Sequence, residues 1–385
     1  MSHADADWIA LSDPDLSPLE LDAAKAVLHA PRLSAGPVVE AFENAFARWV
    51  GRGHAVAVAS GTIGTWLALR ALGIQPWDEV IAPAYSWHQV AHAIPLAGAT
   101  PVFADIDYWS GTLSPTKAAA RITTDTRAIL AGNANGHPAA WKALRGLAAT
   151  YQLPLIEDCT ESIGSRYAGR PCGSFGDVAV FDFSQPSALC CGEGGMLVTD
   201  NDALATELRY LRSRRPEDRG SVSVGARVPL QGGMSELTAA LGLTQLGRID
   251  ALLARRKQVE AWYHDEMQSF EGIKPPYVAE DVDEVHWMLY VVHLGKRFTA
   301  SARQQMVEDL ASCGIEAAAY CHPLHQQFHY QQLGARRGQL PDTERIGDRA
   351  LALPLHAHLD AGQVKFIVKT LKDSSVNVGA GAAIY

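Results

Sequence analysis

The 385-residue sequence contains no run of about 18 uninterrupted apolar residues, so no membrane-spanning helix is expected. Residues 1–8 are polar and acidic, without the basic-then-apolar layout of a signal peptide, and the cytoplasm is the expected location. Its six cysteines, at 159, 172, 190, 191, 313 and 321, form no CxxC pair and no metal-finger spacing; free thiols and no metal site are expected. A bridge between adjacent Cys190 and Cys191 would be strained. Basic residues are scattered and the net charge is -9, which argues against nucleic acid as a partner and for a small molecule. No short-period repeat is visible. No lysine lies between Lys142 and Lys257, a gap that matters once the motifs are placed.

The chain does have enough apolar residues, 48%, to bury a large core, and its length points to one large and one smaller unit. Seven β-rich apolar runs read as strands: His54–Ala59, Glu79–Ala82, Pro101–Ala104, Arg127–Ala131, Pro154–Glu157, Val178–Phe183 and Met196–Thr199. Amphipathic segments such as Thr62–Leu72 and Pro138–Thr150 lie between them. That alternation predicts an α/β fold, a mostly parallel sheet with helices on both faces and a ligand beyond the carboxyl ends of the strands. A proline-free stretch from Ser235 to about Phe270 reads as one long helix leaving the large unit. A smaller α/β unit follows, with strands Leu289–Leu294 and Ile315–Ala319, helix Ser301–Ser312 and a helix starting near Pro341. The boundaries read as 1–250 and 251–375, with 376–385 a frayed tail or docking arm.

Several short motifs fall at strand ends. Ser60-Gly61-Thr62 stands where a strand gives way to a helix, and its free N–H groups suit a phosphate, although a Ser or Thr helix cap has the same letters. Ala84-Tyr85-Ser86-Trp87 places an aromatic ring that either stacks on a heteroaromatic ligand or fills the core. Asp158, in Leu155-Ile156-Glu157-Asp158-Cys159-Thr160-Glu161-Ser162, can face a protonated pyridine nitrogen or cap a helix. Ser174-Phe175-Gly176-Asp177, Val180-Phe181-Asp182-Phe183 and the turn Cys191-Gly192-Glu193-Gly194-Gly195 follow in order.

Taken together, these motifs resemble the DegT/StrS family of sugar aminotransferases, aminohydroxybenzoate synthase and sugar dehydratases. The likeness runs from Gly36-Pro37 and Phe42-Glu43 through Met234-Ser235-Glu236, Ala239-Ala240-Leu241-Gly242 and His322-Pro323-Leu324-His325 to Leu353-Pro354-Leu355. It implies a fold-type-I, aspartate-aminotransferase-like large domain with a smaller C-terminal α/β domain. It also implies a homodimer with sites across its interface, and pyridoxal 5'-phosphate (PLP) or pyridoxamine 5'-phosphate (PMP) as cofactor. By the same resemblance Ser60, Gly61 and Thr62 hold the phosphate, Trp87 stacks on the ring and Asp158 faces its nitrogen. Glu161 replaces a customary glutamine near the ring hydroxyl, in a stretch closer to the family's dehydratases.

Three departures stand against this pattern. The family's lysine lies five residues before the Gly-Glu-Gly-Gly turn, where this chain has Ser187. A serine cannot form the aldimine or return a proton as an amine, so ordinary transamination is impaired and any cofactor is held non-covalently. Asp182 stands in place of a phosphate-binding serine and would repel a phosphate dianion. Ser184 is the candidate replacement, read as lying on the opposite face of the strand. Gln231-Gly232-Gly233 replaces an asparagine-tyrosine-arginine run expected to reach the neighbouring subunit's phosphate. His88 is the candidate base, ahead of His137, His322 and His325, each also readable as a loop residue; Cys190 and Cys191 are readable as thiol nucleophiles or as small apolar side chains. Three functions stay open: a non-covalent PLP or PMP enzyme on a sugar- or cyclitol-like substrate, a cofactor-free enzyme using Ser187, Asp182, Glu161 or a nearby His or Cys, and a non-catalytic partner of an active paralogue.

Overall fold

The computed structural model describes residues 8–213, 228–268 and 272–380. All seven expected strands form one sheet, labelled here in chain order: β1 His54–Val58, β2 Glu79–Pro83, β3 Thr100–Ala104, β4 Thr126–Gly132, β5 Leu155–Asp158, β6 Val178–Asp182 and β7 Gly195–Thr199. Their spatial order is β1-β7-β6-β5-β4-β2-β3. β2 to β6 are parallel, and β7 runs antiparallel to both its neighbours. The carboxyl ends of β1 to β6 therefore open on one edge, where the motifs gather.

Strand periodicity divides the core. On β6, Val178 and Val180 pack under the helix Gly61–Ala71, while Ala179 and Phe181 face the helix Pro37–Val50. That second helix repeats Val39, Phe42, Phe46 and Val50 at helical spacing, and Phe46 meets Phe181 edge-on at 4.9 Å. Alternation then places Asp182 on the face of Val180, directly at the start of the helix Gly61–Ala71. Gly195 is required in β7 because a Cβ there would come within 2.9 Å of Gly61 N and 2.8 Å of the Phe181 carbonyl oxygen.

The second half departs from expectation in four places. The stretch from Ser235 forms two helices, Glu236–Gly247 and Ile249–Met267, because Arg248 leaves helical geometry at φ -110 and ψ 4. Its guanidinium binds Asp15 and Glu20 instead. The strand expected at Ile315–Ala319 shrinks to Ala318–Ala319, since Ile315 bridges to Ile9 of the N-terminal arm. Strand Ala350–Leu353 is the centre of the four-stranded C-terminal sheet, between Tyr290–Leu294 and Ala318–Ala319. Residues 376–380 are not frayed: they end the helix Ala361–Ala380, anchored by buried Val364, Ile367, Val368 and Leu371 on the C-terminal core. The remainder of the expected tail, 381–385, lies outside the described residues. Among the described residues no helix is long and apolar enough to cross a membrane.

Candidate active site

Four loops that leave the carboxyl ends of β2, β4, β5 and β6 build one cleft, closed from the C-terminal unit by Tyr320. Its hub is Glu161, which is buried and accepts from five donors. Oε1 receives the Ser86 hydroxyl at 2.7 Å, the Trp87 N–H at 2.6 Å and the His88 N–H at 3.3 Å. Oε2 receives the Asn135 N–H at 2.6 Å and the Tyr320 hydroxyl. All five partners donate, so a carboxylate satisfies them as an acceptor-only group. Glu161 thus fixes the loop that carries Trp87, whose ring tilts against Tyr320 at 6.1 Å.

Asp158 ends β5 in a buried position. Oδ1 accepts the Thr160 N–H at 3.0 Å and its hydroxyl at 2.7 Å, and Oδ2 has no partner among the described residues. Burial pushes its pKa from 3.8 up to about 7 against the lowering effect of Thr160, with Glu161 adding to the rise and His88 opposing it. A carboxyl group so poised gains most from a cationic neighbour. His88 Nε2 is buried and unpartnered.

The other end of the cleft is arranged differently. Asp182 Oδ2 accepts the Gly61 N–H at 2.6 Å; Oδ1 accepts the Ser184 N–H at 2.8 Å and the Ser184 hydroxyl. Ser184 therefore lies beside Asp182, correcting the expectation of opposite faces: it stands beyond the end of β6 in a bend, where the carboxylate accepts the N–H two residues on and turns the chain back. Ser60 caps the helix through Ile63 N–H at 3.2 Å. Thr62 is half-buried, and Gln231 is exposed on this single chain. The Ser187 hydroxyl is buried without a hydrogen-bond partner, between two voids of about 10 Å³, each about the size of one water.

Of the other candidates, the three histidines sit apart from this cleft, whereas Cys190 lines one of the small voids beside Ser187. His137 bonds the Pro138 carbonyl and accepts the Ala279 N–H, His325 pairs with Glu344, and His322 is exposed. Cys190 and Cys191 are buried thiols whose pKa values burial raises, which suits packing better than nucleophilic chemistry. Sequence reasoning missed Tyr320, Asn135 and His286. Asn135 binds both backbone groups of Leu289. His286 shares the small void beside Ser187 and is held neutral, its pKa lowered to about 4 by burial. None of the three lies in a run whose spacing marks it. A wide cleft of about 900 Å³ opens at the opposite edge of the sheet, but its Arg52 and Arg145 are paired with Asp200 and Asp177.

The cleft fits a PLP-type ligand at one end only. Trp87 and the free Asp158 oxygen suit a protonated aromatic ring, whereas Asp182 takes the helix amide a phosphate would use and Ser187 offers no amine.

The chain is 33% identical over 377 residues to the Bacillus subtilis spore coat polysaccharide biosynthesis protein SpsC, covering 95% of this chain and 97% of the relative. It is 35% identical over 341 residues to GDP-perosamine synthase of Caulobacter vibrioides, covering 88% and 90%. Among solved structures, Spr1654 of Streptococcus pneumoniae in its PLP form superposes with a TM-score of 0.89 at 25% identity, covering 96% of this chain and 99% of that one. The family model described as DegT/DnrJ/EryC1/StrS aminotransferase matches residues 14–372. On that match and these identities, the chain belongs to the DegT/DnrJ/EryC1/StrS aminotransferase family.

Proposed function

We propose that this protein is a divergent member of the sugar-aminotransferase family that acts on a sugar- or cyclitol-like small molecule and takes PLP or PMP without a covalent bond. The observation that carries the reading is the pairing of a buried, half-free Asp158 carboxyl with a Ser187 hydroxyl that has no partner. Asp158 and Trp87 would hold the ring, and Glu161 would fix both Trp87 and the Tyr320 wall. When bound, the cofactor supplies an electron sink. His88, with its unpartnered Nε2, is the group proposed to hold or move a proton in place of the missing lysine.

Reagents for a cofactor-free reaction are poorly supported. Asp182 is committed to the Gly61 and Ser184 donors and Glu161 to five donors, and Ser187 has no base within hydrogen-bond reach to activate it. We also propose a cytoplasmic homodimer in which exposed Gln231 faces the second copy's cleft. Titration of the dialysed protein with PMP and PLP, followed by tryptophan fluorescence, tests the central reading. Saturable binding that dialysis reverses is expected; failure of both compounds to bind would remove it.

A further inference from the structure

The start of the helix Gly61–Ala71 looks, by position, like an anion site: it opens on the ligand edge of the sheet beside Asp158, and its dipole favours negative charge. In this chain the anion is already there. The Asp182 carboxylate, 6% exposed, is held by the Gly61 N–H, the Ser184 N–H and the Ser184 hydroxyl. Three of the first four helix amides have acceptors within the chain, Gly61 on Asp182 and both Ile63 and Gly64 on Ser60. Gly61 makes the close approach feasible, because a Cβ there would come within 2.9 Å of Asp182 Oδ2 and 3.0 Å of the Thr160 methyl. Among the described residues no lysine or arginine pairs with Asp182 to offset a second negative charge.

We infer that Asp182 is a built-in occupant of this anion cup and sets the ligand specificity of the cleft against phosphate. Carboxylate and phosphate require the same N–H donors and repel each other in a site with little water, so a phosphate enters only by displacing the side chain. The end of the ligand that meets Asp182 should instead present a hydrogen-bond donor, such as a free hydroxyl or an ammonium group. The claim rests on the preceding reading only for the ring-bearing ligands; the cup can be tested without them.

Inorganic phosphate is the first probe, read by thermal unfolding of the wild type and of Asp182→Ser and Asp182→Asn. The wild type should not respond to millimolar phosphate, whereas Asp182→Ser should gain about 2 °C or more. In the second arm, Asp182→Ser should bind PMP at least about tenfold more tightly than the wild type, with pyridoxamine, which lacks the phosphate, changing less than about twofold. Asp182→Asn keeps an acceptor for Gly61 N–H without the charge and should fall between. An equal response to phosphate in all three proteins, or an equal gain for pyridoxamine, overturns the inference. If both variants fail to fold, the wild type decides: it should bind pyridoxamine at least as well as PMP, and tighter binding of PMP overturns the claim. Failure of both ring compounds alongside the expected phosphate response would instead remove the ring-binding reading and leave the cup assignment standing.

Discussion

The two ends of the cleft satisfy their polar groups differently. At the Asp158 end the polar groups are tied together: Glu161 gathers five donors from two loops and the C-terminal unit, and Asp158 keeps one oxygen free. At the anchoring end the chain has turned inward, with Asp182 closing the helix start and Ser187 bonded to nothing. Under the proposed function, that contrast separates ring recognition from covalent anchoring.

Substitutions can break or sharpen that contrast. Glu161→Leu should be the most damaging, since five donors lose their acceptor in a dry site; a loss of about 4 kcal/mol or more is expected in denaturant unfolding. A loss no larger than that of an exposed position would show that the hub is not structural.

Asp158→Asn should act through pH. Folding raises the pKa of this carboxyl from 3.8 to about 7, so its contribution to stability is fully present below the lower value and lost as pH rises through the upper one. The variant cannot ionise, and its stability relative to the wild type should rise by about 4 kcal/mol across that window and then level off. A flat difference between acid and neutral pH would contradict the burial argument. Ser60→Ala should cost about 1 kcal/mol, the usual loss of a helix cap, and should leave pyridoxamine binding alone. Ser187→Ala should have the smallest effect, within about 0.5 kcal/mol, because no hydrogen bond is removed. A large change in either stability or ligand binding would give Ser187 a role that its surroundings do not suggest.

Much of this was readable in the sequence because the signals were local. The seven strands are marked by β-rich apolar runs between turns, and Trp87 and Asp158 by their place at strand ends, whereas Glu161 and Ser187 are singled out by the family resemblance. What escaped depended on distant contacts. Tyr320 reaches Glu161 across 159 positions, and nothing in its neighbours announces that meeting. The break at Arg248 reflects its ion pairs with Asp15 and Glu20, which periodicity cannot register. The last helix, Ala361–Ala380, is not marked out within the smaller unit and its final five residues read as tail, although Val364, Ile367, Val368 and Leu371 carry helical spacing. The capture of Asp182 by Gly61 and Ser184 depends on the register of β6 against the helix start, which the sequence does not display.

The separation of recognition from anchoring is tested most directly by borohydride reduction of the wild-type protein mixed with one equivalent of PLP, followed by intact-mass and peptide analysis. With no amine at Ser187, the account predicts an unmodified mass alongside reversible binding. A stoichiometric adduct on an amino group lining the cleft would contradict it and would restore conventional amino transfer as the reaction of this site.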